Sequence, residues 1–198
     1  MFSSLRSGVA AVVGLAVLGL AACASTVVIA PTYAPATSAA PTPRGAGPAT
    51  CRVRLAAIED LRGDAQAAGV FATRAIHAGD APAWLRSGLL SPARDPRLAV
   101  SDQTPPEAAD LTIRVEFLKM YMLAINTSDS ANVVVRVHYA DPGAAPDDQV
   151  YRGVDTSMEL TGLDAEVRGA FDDALSKLLS DLDRDLLTRC AAKAAAGR

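Results

Sequence analysis

Aromatic residues make up only 5% of this 198-residue chain, with a single Trp, and it holds just 2 His and 3 Cys. So few His and Cys leave little from which to build a metal centre or a nucleophilic site. No Gly-x-Ser-x-Gly, Gly-rich phosphate loop or His-Glu-x-x-His occurs, so the common signatures of serine hydrolases, nucleotide enzymes and zinc hydrolases are missing. Basic charge is short too. The 19 Lys and Arg are outnumbered by 22 Asp and Glu, for a net charge of −3 and a pI of about 5.3. Nothing supplies a basic phosphate-binding face, which argues against nucleic acid as a partner. Acidic residues are wholly absent from the first 50 positions, where Arg6 and Arg44 are the only charges. That is not the make-up of an ordinary folded surface.

What stands at the N-terminus instead reads as an export signal. Arg6 gives a positive n-region, and Gly8–Ala22 is an apolar run of 15 residues, short for a bilayer span but right for a signal core. Leu20-Ala21-Ala22-Cys23 then resembles the lipobox of bacterial lipoproteins. The resemblance implies a signal peptide of residues 1–22, cleavage before Cys23, and acylation of its sulfur and then its new amino group, leaving 176 residues. An ordinary cleaved signal, using the small residues Ala22–Ala24, is the alternative. By the same resemblance, Ala24 in place of Asp favours the outer membrane, with the domain facing the periplasm.

Residues 23–50 are dominated by Pro, Ala, Thr, Ser and Gly. Such a segment buries too little to offset its ordering entropy, so a disordered, partly polyproline tether is expected. Val27-Val28-Ile29 is its one short apolar run, able to pair transiently with a sheet edge. With Cys23 assigned to lipid, Cys51 and Cys190 bracket the remaining domain, residues 51–198. Export makes a disulfide between them the expected state. Two free thiols or a metal pair are the alternatives, but neither Cys has a Cys or His neighbour at ligand spacing.

Within the domain, Cys51–Ala56 alternates apolar and basic residues as a short strand, and Ile58–Asp64 follows as a polar turn. Gly69–Ala78 admits a second short strand. Asp80 and Pro82 open a helix carrying Trp84, Leu85 and Leu89 on one face. Ser91–Ala109, with its four prolines, is expected to be loop. Leu111–Asn126 is the clearest strand. Its odd positions, Leu111 to Phe117 and Tyr121 to Ile125, are expected to face the core. Leu118, Met120 and Met122 then fall on the opposite face. Asn126–Ala131 reads as a turn, Asn132–Ala140 as the next strand, Asp141–Asp148 as a Pro-Gly turn, and Val150–Leu160 as a strand with Val150 and Val154 inward. Leu163–Ala196 is a long helix whose apolar stripe from Val167 to Leu186 recurs at three and four. The pattern predicts an α+β fold, a two-layer sandwich with a mainly antiparallel sheet, ordered strand, helix, three strands, helix.

The lipobox, Pro/Thr segment, ADLTIRVEFLKMYM, ANVVVRVHY, Pro-Gly turn, VYRGVDTSMELTG and long terminal helix together resemble the YajG-like family of bacterial lipoproteins. They are similar in outline to small outer-membrane assembly lipoproteins and to auxiliary lipoproteins of lipid-transport ABC systems. The resemblance implies a small envelope lipoprotein and transfers no catalytic residue.

The residues themselves offer little chemistry. His138 reads as a half-exposed cross-strand contact, and His77 has no evident role. Glu59, Asp60 and Asp64 read as an acidic surface turn, and Asp181-Leu182-Asp183-Arg184-Asp185 as the solvated side of the helix. Its calcium-loop likeness fails at Leu186, where Gly is needed, and at Ala192, where Glu is needed. Exposed apolar side chains mark partner surfaces, and Met suits adaptable ones, so Leu118, Met120 and Met122 are the candidate partner site. A covering by the chain's own Pro-rich loop, Ser91–Ala109, or by the tether is the alternative. The expectation is a membrane-anchored, non-enzymatic accessory that docks an envelope protein, with neither cofactor nor metal. A lipid- or small-ligand-binding auxiliary of a transport system stands second, and a hydrolase using Glu59, Asp60 or His77 third.

Overall fold

One strand organises the molecule. The computed structural model describes residues 26–28, 33–34, 51–64, 67–71, 74–92, 94–125, 128–140, 147–158 and 164–196. Its elements are β1 (Val27–Val28), β2 (Cys51–Asp60), β3 (Ala67–Phe71), β4 (Arg74–His77), α1 (Ala81–Leu89), β5 (Leu98–Ser101), β6 (Leu111–Ile125), β7 (Ser128–Ala140), β8 (Asp147–Met158) and α2 (Asp164–Ala196). β6 pairs along its whole length with antiparallel β7, which pairs with antiparallel β8. Its other edge is shared. The first half takes β2, running parallel, and Met122 near the far end takes Gly69 of β3, which leads on through β4 to β1. The fold is α+β, and the single sheet is mixed, its longest ladders antiparallel.

Local sequence explains most of this. Asp80 caps α1 by accepting from the Ala83 amide at 3.0 Å, with Pro82 in the first turn. The α2 stripe, including Val167, Phe171, Leu175, Leu178, Leu182 and Leu186, is buried against the sheet as its spacing predicts. Trp84, Phe117 and Phe171 fill the space between helices and strands. Two glycines allow close approaches. Gly69 has φ 97°, and a Cβ there would stand 2.7 Å from the Met122 carbonyl oxygen. Gly153 lets α2 lie directly on β8.

Several expectations are corrected. β2 continues through Glu59 and Asp60, which pair with Glu116 and Phe117, where a turn is expected. The Pro-rich stretch contains β5, paired parallel to β2 from Cys51 to Arg54. β7 begins at Ser128, so its first residues extend the ladder where sequence suggests a turn. On β8 the inward residues are Tyr151 and Gly153, and Val150 is exposed, because the ladder sets Tyr151 opposite buried Val135. The Pro-Gly turn at 141–146 and Leu160 lie outside the described residues.

The segment expected as a disordered tether is ordered at two points. Val27 and Val28 pair parallel to Ile76 and His77, with Val27 fully buried. The Tyr33 amide donates to Ser87 Oγ at 2.6 Å, and the Ala34 amide hydrogen-bonds Asp172. An edge strand offering unpaired backbone groups gives a short apolar run the partner its own composition cannot supply. Cys51 and Cys190 form a disulfide, Cα–Cα 5.9 Å, tying β2 to the last turns of α2 across 139 residues of chain.

Candidate interaction surface

The proposed partner residues do not form an exposed face. Met120 and Met122 are only 4% and 5% exposed and belong to the core, while Leu118 is half-buried. The cause is a bulge in β6. Phe117 pairs with Val135 but Lys119 pairs with Val134, so Leu118 is the extra residue and the inward parity switches from odd to even. Met120 and Met122 then sit opposite Val133 and Ala131, both buried. The residues turned outward are Lys119 and Leu123, with Tyr121 half-buried beside them.

Among the described residues, both helices pack on one face of the sheet. On the other, cross-strand pairing gathers a charged ladder from β2, β6, β7 and β8. Glu116 lies at its centre and is nearly covered. Arg136 Nη1 donates to its carboxylate at 2.9 Å and Arg114 Nη2 at 3.3 Å. His138 Nε2 stands 2.7 Å from Glu116 Oε1 but off the line of a well-formed hydrogen bond, while Nδ1 meets Asp148 at 2.6 Å. Glu59 reaches Arg114 at 3.7 Å. Burial pushes the Glu116 carboxyl up, but the His138 and Arg136 contacts outweigh it and hold the group below the ordinary glutamate value. The arrangement neutralises a carboxylate and leaves Arg114, Arg136 and Asp148 partly exposed at its rim.

A second polar cluster joins sheet to helix. Tyr139 and Tyr151 both donate to Asp185, the former at 2.8 Å, and Arg189 Nε donates to the same oxygen at 2.8 Å. The Arg189 guanidinium also lies 3.7 Å from the Tyr139 ring centre. Burial, then the bonds with Tyr151 and Asp185, push the Tyr139 hydroxyl far above the ordinary tyrosine value.

Other expected features land elsewhere. Asp183 is buried, not on a solvated side, because the Arg94 guanidinium reaches across to it, Nε at 2.8 Å, and also holds the Leu89 carbonyl at 2.6 Å. Asp60 takes a bidentate bond from Arg62 at 2.8 and 2.7 Å, and Arg62 stacks over Phe117. His77 is exposed on β4. Glu59, Asp60 and His77 are therefore not drawn into one site. A cleft of about 350 Å³ opens at the other end of β6, lined by Arg54, Asp110, Thr112, Ala140 and Lys193 among others. Among the described residues no cluster of His, Cys, Asp and Glu is grouped to hold a metal, and no helix is long and apolar enough to cross a membrane.

The fold is similar to that of the Xanthomonas campestris protein XCC0632, of family DUF330, with a TM-score of 0.54 and 12% identity over 75% of this chain and 93% of that one. No family model and no curated protein matches the sequence, and at 12% identity the likeness to XCC0632 is one of fold.

Proposed function

We propose that this chain is a lipid-anchored lipoprotein of the YajG-like kind, held at the outer membrane by Cys23, whose periplasmic domain works by docking an envelope protein and not by catalysis. The lipobox supports the anchor, and the Cys51–Cys190 disulfide suits an oxidising compartment. The observation that carries the docking role is the one-sided covering of the sheet. Its open face presents the ladder around Glu116, with charges of both signs at the rim, a pattern that steers and orients a complementary protein surface. In-cell photo-crosslinking from position 136 in the lipidated protein tests this. A discrete heavier band is expected, and its mass spectrum names the partner. Intramolecular products alone would overturn it.

The cleft between Arg54 and Lys193 favours one second reading, a small anionic ligand carried for a transport system. Native mass spectrometry of the purified domain separates the two, because a carrier retains its ligand.

A further inference from the structure

We infer that the outward face of β1, β4, β3 and the end of β6 is a bilayer-contact surface, laid against the same membrane that holds the chain's anchor. This rests on the acylation of Cys23 proposed above.

Cross-strand pairing places the residues on one face. Val28 pairs with His77, Val70 pairs with Ala75, and Gly69 pairs with Met122, which brings Val70 beside Leu123. Partners in a ladder point to the same side of a sheet. Met122 and Val27 are buried, so their neighbours Leu123 and Val28 face out. Val28, Val70 and Leu123 are 52%, 54% and 49% exposed, large apolar side chains turned to solvent in one corner of the molecule. None of the side chains named on this strip is a carboxylate, amine or guanidinium. Along β6 the first outward charge is Lys119, four residues from Leu123, and the charged ladder around Glu116 and Arg114 follows it.

Chain length selects the occupant. β1 is fixed to β4, and Cys23 precedes Val27 by four residues. Four residues span at most about 14 Å fully extended. An acylated Cys23 therefore keeps this corner close to the headgroups. The long spacer suggested by composition is bypassed, because the chain engages the domain again at its very start. The acyl chains anchor the protein, and an apolar strip next to them adds its own buried area to the same bilayer. Thr112, ten residues from Met122, lies on the order of 33 Å along the strand. That puts the Arg54–Lys193 cleft at the opposite end of β6 from Leu123.

The test uses the lipidated full-length protein in vesicles of phosphatidylethanolamine and phosphatidylglycerol with doxyl-labelled acyl chains. Leu123→Cys carries a bimane probe, and Ala140→Cys, at the distal end, is the control. The disulfide and the acylated Cys23 take no label. Quenching severalfold stronger at position 123 than at 140 is expected, and Val28→Asp with Val70→Asp, both outward substitutions, should bring it down toward the control. Equal quenching at the two positions in a chain whose intact mass shows acylation would overturn the bilayer contact alone. A crosslink from position 123 to a protein, without quenching, would do the same and assign the strip to that protein. A chain without acyl mass would remove the anchor and this inference together.

Discussion

Gly153 of β8 lies directly beneath Ala174 of α2, so close that a Cβ at 153 would stand 2.7 Å from the Ala174 carbonyl carbon and nearer still to its oxygen. Backbone meets backbone there, so no side chain can swing aside. Gly153→Ala should therefore cost about 1–3 kcal/mol or more, as overpacking does. Gly169, in the same helix and with open space at its Cβ position, provides the opposite case. Gly169→Ala should gain roughly 0.5–1 kcal/mol from the helix preference alone. Urea unfolding of the pair reads both signs, and a neutral Gly153→Ala would mean that α2 does not sit where described.

Arg94 and Asp183 form the most deeply covered ion pair between a loop and α2. Removing one partner of such a pair strands a buried charge, so Arg94→Met should destabilise by about 3–5 kcal/mol. The double variant Arg94→Met with Asp183→Leu should recover most of that. A double variant as weak as the single would show that packing, and not the stranded carboxylate, sets the cost.

Removing the disulfide by Cys51→Ala with Cys190→Ala should cost about 2–4 kcal/mol, with about 5 kcal/mol as the loop-entropy ceiling for so long a loop. Denaturant midpoints measured with and without reductant check this. An unchanged midpoint on reduction would mean the bridge is not formed in the native protein.

Two aspartates give stability a pH dependence of opposite sign. Burial pushes Asp185 up, but bonds from Tyr151, Arg189 and Tyr139 outweigh it and leave the carboxyl below its ordinary value. A depressed native value stabilises above the unfolded value of about 3.9 and is lost as pH falls below it. Asp172 is raised, mainly by burial and only partly offset by the Trp84 Nε1 bond at 2.7 Å. Its share is full below about 3.9 and lost as pH rises through its raised native value. Melting curves across pH should show the acid limb flattened in Asp185→Asn and the decline above pH 4 flattened in Asp172→Asn. Unaltered profiles would contradict the assignment.

The helices were legible because their signals are local and redundant. The α2 stripe repeats over five turns, and Asp80 with Pro82 marks the start of α1 on its own. The meander was legible too, from alternation in β6 and β7. The slip in β6 was not. Leu118, Met120 and Met122 stand on one parity and Tyr121 and Leu123 on the other, so both faces are apolar there and nothing local says where the period breaks. That single residue moved the candidate surface into the core. β5 was hidden for another reason, since its four residues become a strand only by adding to an existing edge, the mode that the apolar run at Val27–Val28 does suggest and adopts. The helix charges bind both along α2 and across elements: Asp185 pairs with Arg189 at 2.8 Å, while Asp164 binds Arg74 and Lys177 binds Asp155, both at 2.6 Å.

The most direct test of the account is the intact mass of the protein extracted from the membrane fraction of cells expressing the full chain. The account predicts a chain of 176 residues beginning at Cys23, heavier by its diacylglyceryl and amide-linked acyl groups and lighter by the two hydrogens lost to Cys51–Cys190. A chain beginning at another residue, or one beginning at Cys23 without acyl mass, would contradict it.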